Sequence, residues 1–215
     1  MALDRIQNSY PQSQVIVLAY HYGDSYNIFY CNTRIVYYGV ASYPNVWFNG
    51  YTNYIGGVLV SQGETGIQMM YNTYVDKINA EKTRTAGNNP FQLVLRGGIS
   101  PTYSAMTLYM SSATGYPRTV NAIFLIAEEA IPISSSNGQT VLNAVVRGWV
   151  GTKSFTLTSS GSTTLNTSIG SIPYYTAAHL SPVVILQDSS TKEIIGAVTE
   201  FTLPTNISCQ WQLYN

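Results

Sequence analysis

Six consecutive apolar residues, Val15-Ile16-Val17-Leu18-Ala19-Tyr20, constrain how this chain folds more than any other stretch of it. A strand with no polar face needs cover on both sides, so the run predicts a central strand layered between other elements. The neighbouring segments supply that cover. Leu3, Ile6 and Tyr10 fall at helical spacing and Pro11 ends the segment, which places a helix before the strand. Ser25 to Tyr38 carries Ile28, Cys31, Ile35 and Tyr38 along one helical stripe. Strands are expected at Asn45 to Phe48 and Tyr54 to Leu59, then a helix with Ile67, Met70, Tyr71, Tyr74 and Ile78 on one face.

From Phe91 onward the pattern changes to short strands separated by Gly, Pro, Ser and Asn. The candidates are Gln92 to Arg96, Ala105 to Met110, Val120 to Ala127, Val141 to Val150, Ser154 to Thr158, Val183 to Gln187, Ile194 to Phe201 and Ile207 to Leu213. Their number and spacing suit a two-sheet sandwich. The fold class expected is therefore α/β plus all-β, with an α/β domain over 1–85 and a β-sandwich over 91–215. The join falls in Thr83-Arg84-Thr85-Ala86-Gly87-Asn88-Asn89-Pro90, where turn formers gather and Pro90 disfavours helix at Asn89.

Charged residues make up 9% of the chain, against about 25% in an average soluble domain, and tyrosine outnumbers phenylalanine 18 to 6. Amides, hydroxyls and phenols must then keep the surface wet, which fits an extracellular or cell-surface protein with tyrosines at interfaces. Zero net charge gives nucleic acid no basic footprint, so it is not an expected partner. No apolar run reaches the roughly 20 residues of a membrane span, so no transmembrane segment is expected. Met1-Ala2-Leu3-Asp4-Arg5 is too charged to open a signal peptide, and an export signal is expected outside this numbering.

The stretch Tyr38-Gly39-Val40-Ala41-Ser42-Tyr43-Pro44-Asn45-Val46-Trp47-Phe48-Asn49-Gly50 resembles the proline loop of thioredoxin-like proteins. Three later pieces, at 121–129, 143–148 and 183–197, look like the C-terminal sandwich of secreted bacterial proteins of the outer-membrane-protein-28 type. Those proteins join a thioredoxin-like domain to an immunoglobulin-like one, and the resemblance covers nearly the whole chain. It implies a thioredoxin-like domain followed by an immunoglobulin-like β-sandwich, and a cis peptide between Tyr43 and Pro44. It also exposes two departures. The redox dithiol is missing, since Cys31 and Cys209 are the only cysteines and neither belongs to a Cys-x-x-Cys. The first thioredoxin strand, which would lie beside Val15 to Tyr20, is missing as well. A gap inside a sheet leaves buried backbone groups unpaired at about 1 to 3 kcal/mol each, so another segment is expected to fill it. The candidate is Asn206-Ile207-Ser208-Cys209-Gln210-Trp211-Gln212-Leu213-Tyr214, donated by a neighbouring copy as in strand-addition assemblies.

Candidate chemistry is sparse. Cys31 lies on an apolar stripe, where a buried core thiol is the ordinary outcome; a disulfide with Cys209 and a catalytic thiol are the alternatives. His21 follows the apolar run and faces the empty dithiol position, but a lone histidine there usually serves a structural hydrogen bond, and His179 lies in the other segment. Glu128 and Glu129 alternate across a strand and make no dyad. Asp188 to Glu193 lacks the alternating ligands and central glycine of a calcium loop and reads as a hairpin turn. Asn166 and Asn206 head Asn-x-Ser/Thr triplets, and Ser134 to Ser136 and Ser159 to Thr164 are candidate O-linked sites. No catalytic residue, metal ligand or cofactor is expected. The reading is a non-catalytic structural protein that assembles with copies of itself into a fibre, tube or lattice, with surface glycans or other envelope proteins as further partners. The alternatives are a secreted thiol-disulfide oxidoreductase with its dithiol upstream of Met1, and an adhesion or carbohydrate-binding module.

Overall fold

A computed structural model describes residues 1–86, 90–97, 105–135, 138–170, 172 and 176–199, together with the backbone of 208–214. Its described residues form three α-helices and several sheets, none closed. The first segment gives α1 (Ala2–Ser9), β1 (Val15–His21), α2 (Phe29–Tyr38), β2 (Asn45–Phe48), β3 (Thr52–Ile55) and α3 (Gly63–Thr85). The second gives β4 (Gln92–Gly97), β5 (Ala105–Ser112), β6 (Tyr116–Glu128), β7 (Ile131–Pro132), β8 (Val141–Leu142), β9 (Val145–Leu157) and β10 (Gly161–Ser168). It continues with β11 (Leu180–Asp188), β12 (Ile194–Thr199) and β13 (Ser208–Tyr214).

Eight of these strands form one mixed sheet in the order β12-β11-β6-β9-β1-β13-β2-β3. Strands from both sides of the expected join at 83–90 therefore share a sheet. β13 enters between β1 and β2, and on the other side of β1 the contact is narrow: Ala19 pairs with Val145 and donates its N–H to the Ala144 carbonyl at 2.7 Å. A second sheet, β10-β5-β4, packs on one face of the large sheet, burying Leu93, Met106 and Leu108 against Phe124, Ile126 and Leu186. The alternation of β5, with Met106, Leu108 and Met110 buried between wetter neighbours, is that of a strand covered on one side.

The apolar run of β1 is buried at every position, as a doubly covered strand must be. Ile16, Leu18 and Tyr20 enter the core beneath α2, while Val15 and Val17 join Leu3, Ile6, Met70, Tyr74 and Ile78 beneath α1 and α3. The α2-side core reaches from Tyr38 and Trp47 across β1 to Leu125 on β6 and Ile185 on β11. One helix thus bridges strands drawn from both halves of the sequence.

Several elements differ from their sequence-based bounds: β9 runs unbroken across the two strands expected at Val141 to Val150 and Ser154 to Thr158, β6 starts at Tyr116 rather than Val120, and β10 falls where no strand is expected. The α2 helix begins at Phe29 rather than Ser25, because the Asp24 carboxylate accepts the Tyr26 N–H at 2.9 Å and holds 24–26 as a turn. The β3 strand ends at Ile55, where Gly56 takes φ +127° and its N–H reaches the Pro44 carbonyl at 3.0 Å. The last strand, expected in the second segment's sandwich, lies instead between β1 and β2.

Candidate assembly site

Strand β13 runs parallel to β1 from Val15–Ser208 to His21–Tyr214, and antiparallel to β2 from Phe48–Gln210 to Asn45–Leu213. Without it, β1 and β2 have no ladder with each other, and a strand-wide slot opens in the middle of the large sheet. The flanking side chains make this slot a core position: Leu18, Tyr20, Val46 and Phe48 are all essentially without solvent exposure. The sequence of β13 alternates Cys209, Trp211 and Leu213 with Ser208, Gln210 and Gln212. Its register sets the apolar members level with Ile16, Leu18 and Tyr20, the residues of β1 that enter the α2-side core.

The strand fills this slot within its own chain, and it does so from the far end of the sequence. It has no hairpin turn to either neighbour, and residues 200–207 lie between it and β12. Asn206 and Ile207, the first two residues of the expected donor segment, fall outside the described residues.

At one end of the slot the Tyr43–Pro44 peptide is cis. Gly57 packs over the proline ring, since a β-carbon there would lie 3.1 Å from Pro44 Cγ. The β2–β3 connection is the turn Asn49-Gly50, with both residues at positive φ and the Tyr51 N–H bonded to the Phe48 carbonyl at 3.0 Å. Gly50 has no room for a side chain: a β-carbon would lie 2.5 Å from Tyr38 Oη and 2.6 Å from the Lys192 carbonyl oxygen. Gly50→Ala combines a left-handed backbone with overpacking and should cost about 2 to 4 kcal/mol, read as a lower urea midpoint at unchanged slope.

The cysteines are not brought together. Cys31 is fully buried on α2, and burial pushes its thiol up against weaker opposing hydrogen bonds from the backbone of Ile28 and His21. Its neighbour His21 is at the last position of β1, whereas Cys209 is in register with Ile16, five residues earlier. At about 3.3 Å per residue that is roughly 16 Å along the strand, far beyond the Cα separation of about 7 Å that a disulfide tolerates. A buried thiol held in its protonated form is also a poor nucleophile.

His21 is 2% exposed, its Nδ1 lies 2.6 Å from Asp24 Oδ2, and its ring meets the edge of Tyr26. Burial lowers its pKa and outweighs the carboxylate beside it, so the imidazole is held neutral as an anchor for the 22–28 loop. Glu128 and Glu129 separate as their alternation requires. Glu128 is fully buried, pairs with Arg147 Nε at 3.1 Å and accepts the Thr176 N–H at 2.6 Å. Glu129 accepts the Ala144 N–H at 2.9 Å. Asp188 closes the β11–β12 hairpin by accepting the Ser190 and Thr191 N–H groups, the Ser190 hydroxyl and the Tyr116 hydroxyl. Burial alone would raise that carboxyl, but these hydrogen bonds prevail and hold it well below the usual carboxylate range. His179 is exposed in a short 3₁₀ turn. Asn166 is exposed on β10 opposite Thr107, and Asn206 lies outside the described residues.

Among the described residues no group of three or more His, Cys, Asp or Glu side chains is placed to hold a metal ion. Among them, too, no helix is long and apolar enough to cross a membrane. Polar side chains from distant elements also meet in structural networks. Arg34 donates to Gln187 at 2.9 Å and to Tyr38 Oη at 3.2 Å, and Tyr38 donates to the Lys192 carbonyl at 3.0 Å. Sequence reasoning missed this network, because its members come from α2 and the β11–β12 hairpin and no local pattern links them. No protein-family model matches the chain, and no curated protein matches it.

Proposed function

We propose that this is a non-catalytic structural protein of the cell surface or extracellular space, whose copies join by passing β13 from one subunit into the β1–β2 slot of the next. One observation carries the reading: a core strand position is occupied by a segment with no hairpin to either neighbour and with both ladder partners far away in sequence. The pairing closes the chain on itself when made in cis and links subunits when made in trans, with the same hydrogen bonds in both cases. Within the resemblance to thioredoxin-like proteins, the slot lies where that family's first strand would sit beside β1, and β4 to β12 would supply the immunoglobulin-like sandwich. The buried, protonated Cys31 favours this reading over thiol-disulfide exchange by the chain itself.

The donor and acceptor surfaces differ, so a chain of such exchanges is head-to-tail and runs on as a filament unless the rotation closes a ring. Negative-stain microscopy and light scattering of concentrated native protein test this directly. Filaments or rings that dissolve when an excess of a peptide spanning residues 206–215 is added are the expected result. A protein that stays monomeric up to about millimolar concentration would overturn the proposal.

A further inference from the structure

Between α2 and the part of the large sheet formed by β6, β9 and β11 lies an open groove of about 290 Å³. That is near the lower bound of small-molecule sites. We propose that this groove binds a neutral sugar, independently of whether β13 is exchanged.

Its walls are aromatic. Trp149 lies parallel to Tyr30, at 3° and 5.5 Å between ring centroids, so one indole face is taken while the residue stays 48% exposed. Phe29, the first residue of α2, is 84% exposed beside it. Two large rings left this wet cost hydration free energy that a stacked ligand recovers.

The rim selects the kind of ligand. Asn121 uses its carbonyl oxygen to accept from Ser154 at 2.7 Å, which leaves its amide hydrogens able to donate. Thr152 accepts from Trp149 Nε1 at 3.2 Å, which leaves its hydroxyl hydrogen able to donate. A purely apolar ligand would strip water from both groups and return nothing. Among the described residues the lining contains no Asp, Glu or Lys. Its one cation, Arg34, is 5% exposed, lies within 5.9 Å of the ring centroids of Tyr30, Tyr37 and Tyr38, and donates to Gln187 and Tyr38. Lys192, just outside the lining, sits 4.7 Å from the centroid of the Tyr37 ring and donates to the Tyr37 carbonyl at 2.7 Å, so both cations near the groove are already engaged with protein groups. A neutral pyranose suits both features, laying its C–H face on the indole and turning its hydroxyls to Asn121 and Thr152.

Titration of the intact protein with cellohexaose, chitohexaose, mannohexaose and maltoheptaose, read by calorimetry and tryptophan fluorescence, tests the inference. At least one should saturate at millimolar concentration or below. Binding should weaken at least tenfold in Phe29→Ala and in Trp149→Ala, and it should persist in Trp149→Phe, which keeps a flat ring. Phe29 is so exposed that its substitution leaves the core intact, so this variant reads the groove rather than folding. Absence of saturation for every sugar at about 10 mM, or binding that Phe29→Ala leaves unchanged, would overturn the site. So would a loss of self-association in Phe29→Ala with no sugar bound, which would make the groove a contact between copies. Filament formation is scored separately by microscopy, so failure of the sugar site and failure of strand exchange are distinguishable.

Discussion

Deleting residues 208–215 should leave a chain that does not fold on its own and should be rescued by the missing strand supplied as a free peptide. β13 pairs along all seven residues of β1 on one side and four residues of β2 on the other. Its removal strips ladder partners from two strands buried among Leu18, Tyr20, Val46 and Phe48. Each unsatisfied buried backbone group costs about 1 to 3 kcal/mol. A handful of them exceeds the roughly 5 to 15 kcal/mol that separates a folded domain from its unfolded chain. Soluble truncated protein with near-native circular dichroism is expected only when the peptide Ser208–Tyr214 is added, and a scrambled peptide should not substitute. A truncated chain with unchanged melting would show that the slot closes without β13.

The second large effect is expected at the ion pair between Arg147 and Glu128. Glu128 is fully buried and Arg147 is 8% exposed. Arg147→Ala leaves a carboxylate in the core with the Thr176 N–H but without its cation, and breaking a buried pair in this way costs about 3 to 5 kcal/mol. In a chain of this size that is a fall in Tm of roughly 10 °C. The double variant Glu128→Gln/Arg147→Met removes both charges at similar volume and should recover most of the loss, because an apolar or neutral replacement escapes the desolvation cost. Equal stability of the single and double variants would show that the charges at this position are not coupled.

Features fixed by local pattern were legible in the sequence. The unbroken apolar run gave β1, and the helical stripe through Met70, Tyr74 and Ile78 gave the buried face of α3. The turn at Asp188 to Glu193 was readable from its residue types. Features fixed by pairing at a distance were not. Nothing in the composition of Val145 shows that its strand meets β1 at Ala19, and that contact joins β12, β11, β6 and β9 to the rest of the large sheet. Ser208 to Tyr214 alternates like any strand with one wet face, and its place between β1 and β2 depends on two edges more than a hundred residues away. The start of α2 was misplaced because the hydrogen bond from Tyr26 to Asp24 competes with helix over residues that carry an apolar period. The aromatic groove was invisible, since Phe29 and Trp149 meet only after α2 is laid across the sheet.

The tether of β13 also sets a balance of mass action. If copies exchange β13 as proposed, closed and exchanged forms contain the same pairings and differ only in the entropy of the connection and in whatever new surface two subunits bury. The sequence puts eight residues, 200–207, between β12 and β13, and a connection of about that length sets an effective concentration on the order of millimolar. At micromolar protein a neighbour's strand starts about a thousandfold behind, a handicap of about 4 kcal/mol that contacts outside the slot must offset. Free subunits would then stay closed in dilute solution and open to one another where they are crowded.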